Sequence, residues 1–231
     1  MQATTSTSAP SVLAATTIGA AWLGIASRIL HDGIPAHWDG QPILEVRNVT
    51  LDVATPSPDD QVIARFADPE RLAWMHANFT DFRRVTALGD AASYASRLFD
   101  YARSGRDQVQ WVIDRLRADP ERRDAVITTF EPLTDTAYIP CVAMLDFWIP
   151  DGALHLVVTA HSIDFGTKGY ANLVELAQLQ RRVADQVGVP VGRLTVTIKS
   201  AHIYDPELTL MHGILDAADF PDRADPDDPA R

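Results

Sequence analysis

Residues 142–160, VAMLDFWIPDGALHLVVTA, predict two strands joined by a tight turn. Strand-forming residues fill both halves, and Pro150-Asp151-Gly152 between them supplies the turn residues of a β-hairpin. Downstream, residues 170–187 have the length and apolar spacing of a long helix that Gly188 ends, and residues 193–198 predict a further strand. A hairpin, a helix and a returning strand together predict a sheet that is packed against helices.

The N-terminal half adds helices and strands to this unit. Apolar residues recur there at either the helical or the strand period, and Asp68 is a candidate N-cap for one of the helices. The pattern predicts one α+β domain with a mainly antiparallel or mixed sheet. The predicted elements are helices at 16–30, 69–78 and 107–118 and strands at 44–53 and 125–130.

The two ends of the chain differ from its middle. The first 14 residues are rich in Ser, Thr and Ala and contain no Lys or Arg, and the last 16 contain six Asp and two Arg. We therefore expect a flexible N-terminus at 1–15, one folded domain at 16–215 and an acidic flexible tail at 216–231. The N-terminus lacks the basic leader of a secretory signal, and the apolar stretch 18–30 is too short to span a membrane.

Composition restricts the partners and the compartment. The net charge is −11, which argues against nucleic acid and anionic membranes as partners, because both require clustered Lys and Arg. The single cysteine excludes an intramolecular disulfide and fits a reducing cytoplasm. The seven histidines show no metal-ligand spacing, so no metal is expected.

Three polar motifs lie in the strand-rich half of the chain. Ile139-Pro140-Cys141 opens the hairpin, His161-Ser162-Ile163-Asp164 follows its second strand, and Ala201-His202-Ile203-Tyr204 follows the last strand. Asn172 stands eight residues after the aspartate, near the start of the long helix. Taken singly, each residue has an ordinary alternative: a lone cysteine is often a small buried hydrophobe, and an asparagine there is often an N-cap.

The order and spacing of these motifs resemble thymidylate synthases and the related pyrimidine-nucleotide hydroxymethylases. That family has a Pro-Cys nucleophile, a hairpin that ends in Arg-Ser-x-Asp, an asparagine that opens a long helix, and a strand that ends in His-x-Tyr. The resemblance covers residues 74–204. It implies a thymidylate-synthase-like fold, a homodimer, a pyrimidine nucleoside 5′-monophosphate as substrate, and 5,10-methylenetetrahydrofolate as cosubstrate.

The resemblance implies a role for each motif residue. Cys141 would be the nucleophile, Tyr94 would line its pocket, and His161 stands where the family has an arginine that supports the thiolate and binds phosphate. The expected substrate contacts are Ser162 and either Arg123 or Arg122 of a second subunit to phosphate, Asn172 to the base, and His202 and Tyr204 to the sugar. Asp164 would contact the folate.

A thiol suits the transfer of a carbon to C5 of a pyrimidine. C5 of a pyrimidine is a poor nucleophile, but addition of a thiolate to C6 turns C5 into an enolate-like carbon that can attack a one-carbon donor. The thiolate must be stabilised, usually by a nearby cation. A side-chain amide such as that of Asn172 can pair with uracil and, when flipped, with cytosine, so the asparagine favours uracil without excluding cytosine.

The chain also departs from the family pattern. The family's general-acid/base glutamate, expected before the helix at Trp74, is missing, and Asp68, Glu70 or a water are its possible substitutes. The family's N-terminal phosphate-binding arginine is also missing, because residues 32–45 contain no Arg or Lys. The position of the family's tryptophan that shields the pyrimidine ring falls near Phe82 or Arg83, and neither is a tryptophan. Only 27 residues follow Tyr204.

The lost shielding of the pyrimidine ring bears on whether the transferred carbon becomes a methyl or a hydroxymethyl group. Reductive methylation requires an exocyclic methylene on C5 to be kept from water until hydride reaches it. Water that reaches this methylene gives a hydroxymethyl group, so we expect hydroxymethylation of CMP, dCMP or UMP. A divergent thymidylate synthase and a non-catalytic nucleotide-binding module are the alternatives. The small Ala171 and Ala201 give a weak indication of a ribonucleotide.

Overall fold

The computed structural model describes residues 11–220, which form a single domain with a seven-stranded mixed sheet and helices packed against it. The helices are α1 (Ile18–Asp32), α2 (Gln61–Phe66), α3 (Pro69–Thr80), α4 (Tyr94–Phe99), α5 (Gln108–Ala118), α6 (Gly169–Val187) and α7 (Leu208–Ala217). The strands are β1 (Ser11–Ala15), β2 (Ile34–Trp38), β3 (Gln41–Val53), β4 (Arg84–Val85), β5 (Ala91–Ala92), β6 (Ala125–Thr128), β7 (Val142–Trp148), β8 (Leu154–Asp164) and β9 (Val191–Tyr204).

The predicted hairpin is confirmed. Strands β7 and β8 pair in antiparallel fashion, and Gly152 in the turn has a φ of +84°, a left-handed conformation that favours glycine. Strand β8 runs on to Asp164, so the polar motif at 161–164 forms its C-terminal end. The hairpin therefore places Cys141, which directly precedes β7, next to the end of β8.

Helix α6 is the crossover that brings the polar ends of two strands together. It returns the chain across the sheet so that β9 lies parallel to β8, as a helical connection between parallel strands does. The register pairs Ser162 with Ser200 and Asp164 with His202. The strand order is β1-β3-β9-β8-β7-β6, with β2 paired to the N-terminal part of β3, residues 41–45.

One face of the sheet forms the core. Along β9, Val196 and Ile198 are fully buried whereas Thr197 between them is exposed, which is the alternation of a sheet with one covered face. Trp22 of α1 is buried, and its ring nitrogen donates to the Phe165 carbonyl at 3.0 Å. Burial of each such side chain contributes roughly 1.5–3 kcal/mol, so α1 holds the turn that follows β8 firmly in place.

The expected domain boundaries differ from the structure at both ends. Residues 11–15 were expected to be flexible but form β1, which pairs in parallel with β3 and packs Leu13 against Gly24 of α1. Helix α7 continues through the expected start of the tail at 216 to Ala217. The rest of both predicted flexible ends, 1–10 and 221–231, lies outside the described residues.

No helix within residues 11–220 combines the length and the apolar character that a membrane crossing requires.

Candidate active site

The predicted site residues of the strand-rich half meet at one end of the sheet. The backbone N–H of His161 donates to the Cys141 carbonyl at 3.0 Å, which joins the start of β7 to the end of β8. The pairing of Asp164 with His202 joins the end of β8 to β9. Asn172 lies in the first turns of α6, which starts five residues after Asp164.

Two tyrosines line the side of Cys141, which is itself partly buried. The Tyr94 hydroxyl accepts a hydrogen bond from the Val142 N–H at 3.0 Å, and Tyr138 stands three residues before Cys141. Burial, followed by the nearby Cys141, raises the pKa of both phenols, so both stay protonated and can donate. Tyr94 was expected here, whereas Tyr138 was not.

Burial also raises the pKa of the Cys141 thiol. The charge of Lys168 and the hydroxyl of Tyr138 oppose this rise, whereas the carboxylate of Asp164 adds to it. Formation of the thiolate therefore depends on a small set of neighbours rather than on solvent.

His161 has a different contact from the one expected. Its Nε2 atom hydrogen-bonds to the Ile139 carbonyl at 3.2 Å, two residues before Cys141. The ring thereby fixes the Ile139-Pro140-Cys141 segment against β8. A direct action of its charge on the sulfur stays a prediction.

His202 is a buried, neutral histidine with one free nitrogen. Only 3% of the residue is exposed, and burial lowers the pKa of its imidazole. Its Nδ1 atom lies 3.3 Å from the Ser162 hydroxyl, and its ring meets Tyr204 edge-on at 5.2 Å. Its Nε2 atom is buried and has no partner among the described residues. A buried polar atom without a partner is costly, which points to a polar ligand here.

Asn172 has the same property. It is 3% exposed, its Nδ2 donates to the Lys168 carbonyl at 3.2 Å, and its Oδ1 is buried without a partner among the described residues. Lys168, not Asn172, occupies the N-cap position of α6, so the asparagine does not cap the helix. The free amide oxygen is an acceptor for a ligand N–H.

Asp164 builds the turn that leads into α6. Its Oδ1 accepts from the Gly166 N–H at 2.9 Å and the Thr167 N–H at 3.4 Å, and its Oδ2 accepts from the Thr167 hydroxyl. A side chain at Gly166 would meet Glu207 at 2.9 Å, so this close approach requires glycine. The expected folate contact of Asp164 stays a prediction.

The two arginines lie elsewhere. Arg122 donates to both oxygens of Asp124 at 2.8 and 2.7 Å, and this pairing lowers the pKa of Asp124 to about 2. Arg123 is exposed and has no ion-pair partner among the described residues. Both precede β6, whose Ala125 pairs with Phe147, six residues along β7 from Cys141 and therefore roughly 20 Å away. One chain does not bring either arginine to its own cysteine.

Neither Asp68 nor Glu70 offers a free buried carboxylate that could replace the missing general-acid/base glutamate. The Asp68 carboxylate caps α3 through the Glu70 N–H at 2.8 Å, and Glu70 itself is exposed. Glu207 was missed: its Oε2 is buried without a partner among the described residues, and burial, followed by Asp164, raises the pKa of its carboxyl. No sequence signal marked Glu207, because it enters the site from the segment after β9.

A cleft of about 780 Å³ adjoins Tyr138. Its walls include Phe82, Arg83, Arg103 and Glu131, and Phe82 is 62% exposed. The region where the sequence lacks a shielding tryptophan is therefore open.

Ala171 and Ala201 both lie in the hydrophobic core, with 1% and 0% exposure. The weak indication of a ribonucleotide that their small size gives stays a prediction.

Within the described residues, no group of three or more His, Cys, Asp or Glu side chains could hold a metal ion.

Comparison with known proteins gives a consistent result. The family model "Thymidylate synthase" matches residues 58–222. A protein of Methanosarcina barkeri named "Putative thymidylate synthase" is 30% identical over 213 residues, which cover 88% of this chain and 94% of that protein. One of the same name from Methanothermobacter thermautotrophicus is 33% identical over 80% of this chain and 89% of its own length. The thymidylate synthase of varicella-zoster virus is 32% identical over 49% of this chain and 38% of its own.

Proposed function

The chain belongs to the thymidylate synthase family, whose reaction is folate-dependent carbon transfer to C5 of a pyrimidine nucleotide, and on that premise we propose that it hydroxymethylates CMP, dCMP or UMP. The observation that carries the proposal is the grouping of Cys141 with the unpartnered buried atoms of Asn172 and His202. A nucleotide that pairs with both atoms brings its base towards the sulfur.

In the proposed reaction, the Cys141 thiolate adds to C6 of the pyrimidine and makes C5 electron-rich. The cosubstrate 5,10-methylenetetrahydrofolate supplies the one-carbon unit that C5 attacks. Loss of the C5 proton and of the carrier leaves an exocyclic methylene, water adds to it, and elimination of Cys141 from C6 restores the ring. Tyr94 and Tyr138 are suited to donate hydrogen bonds to the sulfur when it leaves.

Substrate contacts follow from the free atoms. Asn172 Oδ1 accepts an N–H of the base, and its second amide hydrogen donates to the adjacent acceptor, which is O4 of uracil or N3 of cytosine. His202 Nε2 and the Tyr204 hydroxyl bind the sugar hydroxyl, and Ser162 donates to phosphate. Asp164 contacts the folate, for which the cleft beside Tyr138 offers room.

The phosphate requires a second copy of the chain. Arg123 is exposed and free of ion pairs among the described residues, yet it lies roughly 20 Å from Cys141 of its own chain. The outer face of the sheet, with Met144 and Thr197 exposed, is available to a partner. We propose a homodimer in which each Arg123 serves the partner's site, while the pairing of Arg122 with Asp124 makes it the weaker candidate. The lone thiol fits a cytoplasmic location.

Hydroxymethylation is favoured by the open surface at Phe82. Reductive methylation requires water to be excluded while hydride reaches the methylene, and an exposed phenylalanine beside a large cleft does not shield it. The names of the archaeal relatives support a second candidate, reductive methylation of dUMP.

One assay separates the candidates. The protein is incubated with CMP, dCMP, UMP or dUMP and methylenetetrahydrofolate, and the masses of the products are measured by mass spectrometry. A gain of CH₂O with release of tetrahydrofolate supports the proposal. A gain of CH₂ with dihydrofolate shows a methylating synthase, and binding without any product shows a non-catalytic module.

A further inference from the structure

Helix α4 holds both backbone polar groups of Val142, the residue directly after Cys141. The Tyr94 hydroxyl accepts from the Val142 N–H at 3.0 Å. The Val142 carbonyl accepts from the hydroxyl of Thr129, and the Thr129 carbonyl in turn accepts from Arg97 Nη1 at 2.7 Å. Tyr94 and Arg97 are three residues apart and therefore lie on one face of α4. The backbone beside the sulfur thus depends on contacts from one short helix.

Thr129 joins the two ends of the loop that carries Cys141. Its backbone N–H donates to the Ala143 carbonyl at 3.0 Å, and its hydroxyl donates to Val142. The residue is fully buried. Residues 130–141 leave the sheet after Thr129 and return to it at β7, so Cys141 is the last residue of the loop. A movement of Thr129 is therefore passed directly to the backbone beside the sulfur.

Arg97 is a buried cation that an acid holds in one orientation. Only 1% of the residue is exposed, and Nη1 and Nη2 donate to the two oxygens of Asp135 at 2.7 and 2.8 Å. Its Nε donates to the Ala92 carbonyl at 3.0 Å, and Glu131 Oε1 lies 3.9 Å from Nη1. Because the guanidinium is planar and rigid, the pairing with Asp135 fixes the direction in which Nη1 reaches Thr129.

The ion pair is also the anchor of the middle of the loop. Leu133 at the tip is 94% exposed, whereas the Asp135 side chain is only 8% exposed. Within the described part of the chain, the hydrogen bonds that residues 131–137 make outside the loop all go to Arg97. Loss of the pair would therefore release the loop and, at the same time, the support of Thr129.

We propose that Arg97, held by Asp135, is a positioning residue that sets the place of the Cys141 sulfur through Thr129 and Val142. A buried ion pair often stabilises a fold no more than apolar side chains of the same volume do, because desolvation offsets the attraction. A fixed geometry is what this pair supplies instead. Its effect on carbon transfer rests on the proposed function, but its effect on access to the thiol does not.

The first test follows the single cysteine of the full chain. Alkylation of Cys141 by iodoacetamide at one pH, without nucleotide or folate, is measured by intact mass for wild type and Arg97→Lys. Lysine keeps the charge but offers one nitrogen in place of the planar fork, so it cannot hold both oxygens of Asp135 and the Thr129 carbonyl together. We expect roughly tenfold faster alkylation, because a hydrogen bond to a charged group is worth about that ratio and its loss lets the loop open.

The second test separates positioning from substrate binding. Arg97→Lys should lower kcat by roughly 10- to 100-fold, since a misplaced sulfur attacks poorly. Nucleotide binding by calorimetry should stay close to that of wild type, because Asn172 and His202 lie on α6 and β9. Asp135→Asn opens the same pair from the other side and should give the same faster alkylation, and it takes the place of Arg97→Lys if that variant does not fold.

Arg193→Lys is the matched control. Arg193 likewise donates to both oxygens of an aspartate, Asp52, at 2.9 and 2.6 Å, but at the far end of β9 from His202. Leu194→Ala, at a fully buried position beside it, controls for lost stability. Both controls should keep the wild-type alkylation rate and kcat under conditions where urea unfolding shows that they are folded.

Two results overturn the proposal: folded Arg97→Lys or Asp135→Asn protein that alkylates at the wild-type rate, or an equal acceleration in folded Leu194→Ala. Because the alkylation assay contains no substrate, it decides the proposal even if wild type turns over none of the monophosphates. Failure of the proposed function and failure of this inference can therefore be distinguished.

Discussion

The sulfur end and the phosphate end of the site are built in opposite ways. Around Cys141, one chain supplies buried groups that are already held in place, including Asn172 and His202 with their free polar atoms. At the phosphate end, the same chain offers an exposed Arg123 roughly 20 Å away on the edge of the sheet. The contrast supports the proposed dimer, in which the reacting groups come from one protomer and Arg123 of the partner subunit binds the anion.

The largest expected effect is at the sulfur end. Cys141→Ser should lower kcat/KM on the preferred nucleotide by on the order of 10³-fold or more, because a hydroxyl is a far poorer nucleophile than a thiolate at neutral pH. Steady-state product formation measures it, and nucleotide binding by calorimetry should change little. An active serine variant would remove the distinction between the two ends.

A smaller loss is expected at the phosphate end. Arg123→Ala should weaken nucleotide binding by roughly 10- to 100-fold through loss of a charge-assisted hydrogen bond. Arg122→Ala is the matched control and should have less effect, because Arg122 is already paired with Asp124. Calorimetric titration with the monophosphate measures both variants, and an equal loss in both would refute the assignment to Arg123.

Mixing the two impaired variants sharpens the comparison. If the arginine crosses between subunits, Cys141→Ser and Arg123→Ala proteins that exchange subunits should recover about a quarter of wild-type activity at a nucleotide concentration well below the wild-type KM, since half the dimers then hold one intact site. Recovery of no activity after verified exchange would place both groups in one chain.

The base contact should give a change in preference rather than a loss. Asn172→Asp should move the ratio of kcat/KM towards cytosine nucleotides by roughly 10-fold, because a carboxylate accepts the amino hydrogens of cytosine but meets the O4 of uracil as an acceptor. Paired assays on CMP and UMP, and on dCMP and dUMP, measure the ratio. An unchanged ratio would show that Asn172 does not contact the base.

The smallest effect concerns the helix that carries Asn172. Glu175 on α6 is 5% exposed, and burial raises the pKa of its carboxyl despite a contact with His76 at 3.2 Å. The charged form is therefore disfavoured in the folded state. The carboxyl contributes stability below its unfolded pKa, and that contribution is lost as pH rises through its folded pKa.

Glu175→Gln imitates the neutral form and should raise the free energy of unfolding by about 1 kcal/mol near pH 7. The gain should vanish near pH 4, where wild type is also protonated. Urea unfolding at both values of pH measures it. A variant that is less stable near pH 7 would show that the contact with His76 outweighs the cost of burial.

Sequence periodicity predicted the hairpin and α6 because their patterns are local. Strand β1 was missed because Ser11–Ala15 is only five residues long, does not alternate apolar and polar residues, and becomes a strand only by pairing with β3. Glu207 was missed for a related reason, since the segment after β9 brings it against Gly166 only in the fold. The contact of His161 with a backbone carbonyl likewise has no local signature.

The most direct test of the account is release of tritium from C5 of labelled CMP, dCMP, UMP and dUMP in the presence of methylenetetrahydrofolate. Addition of the Cys141 sulfur to C6 is the step that allows the hydrogen on C5 to leave. We predict release from at least one of the four monophosphates, and little from the matching nucleoside, which lacks the phosphate. Release from none of them, or equal release by wild type and Cys141→Ser, would contradict the account.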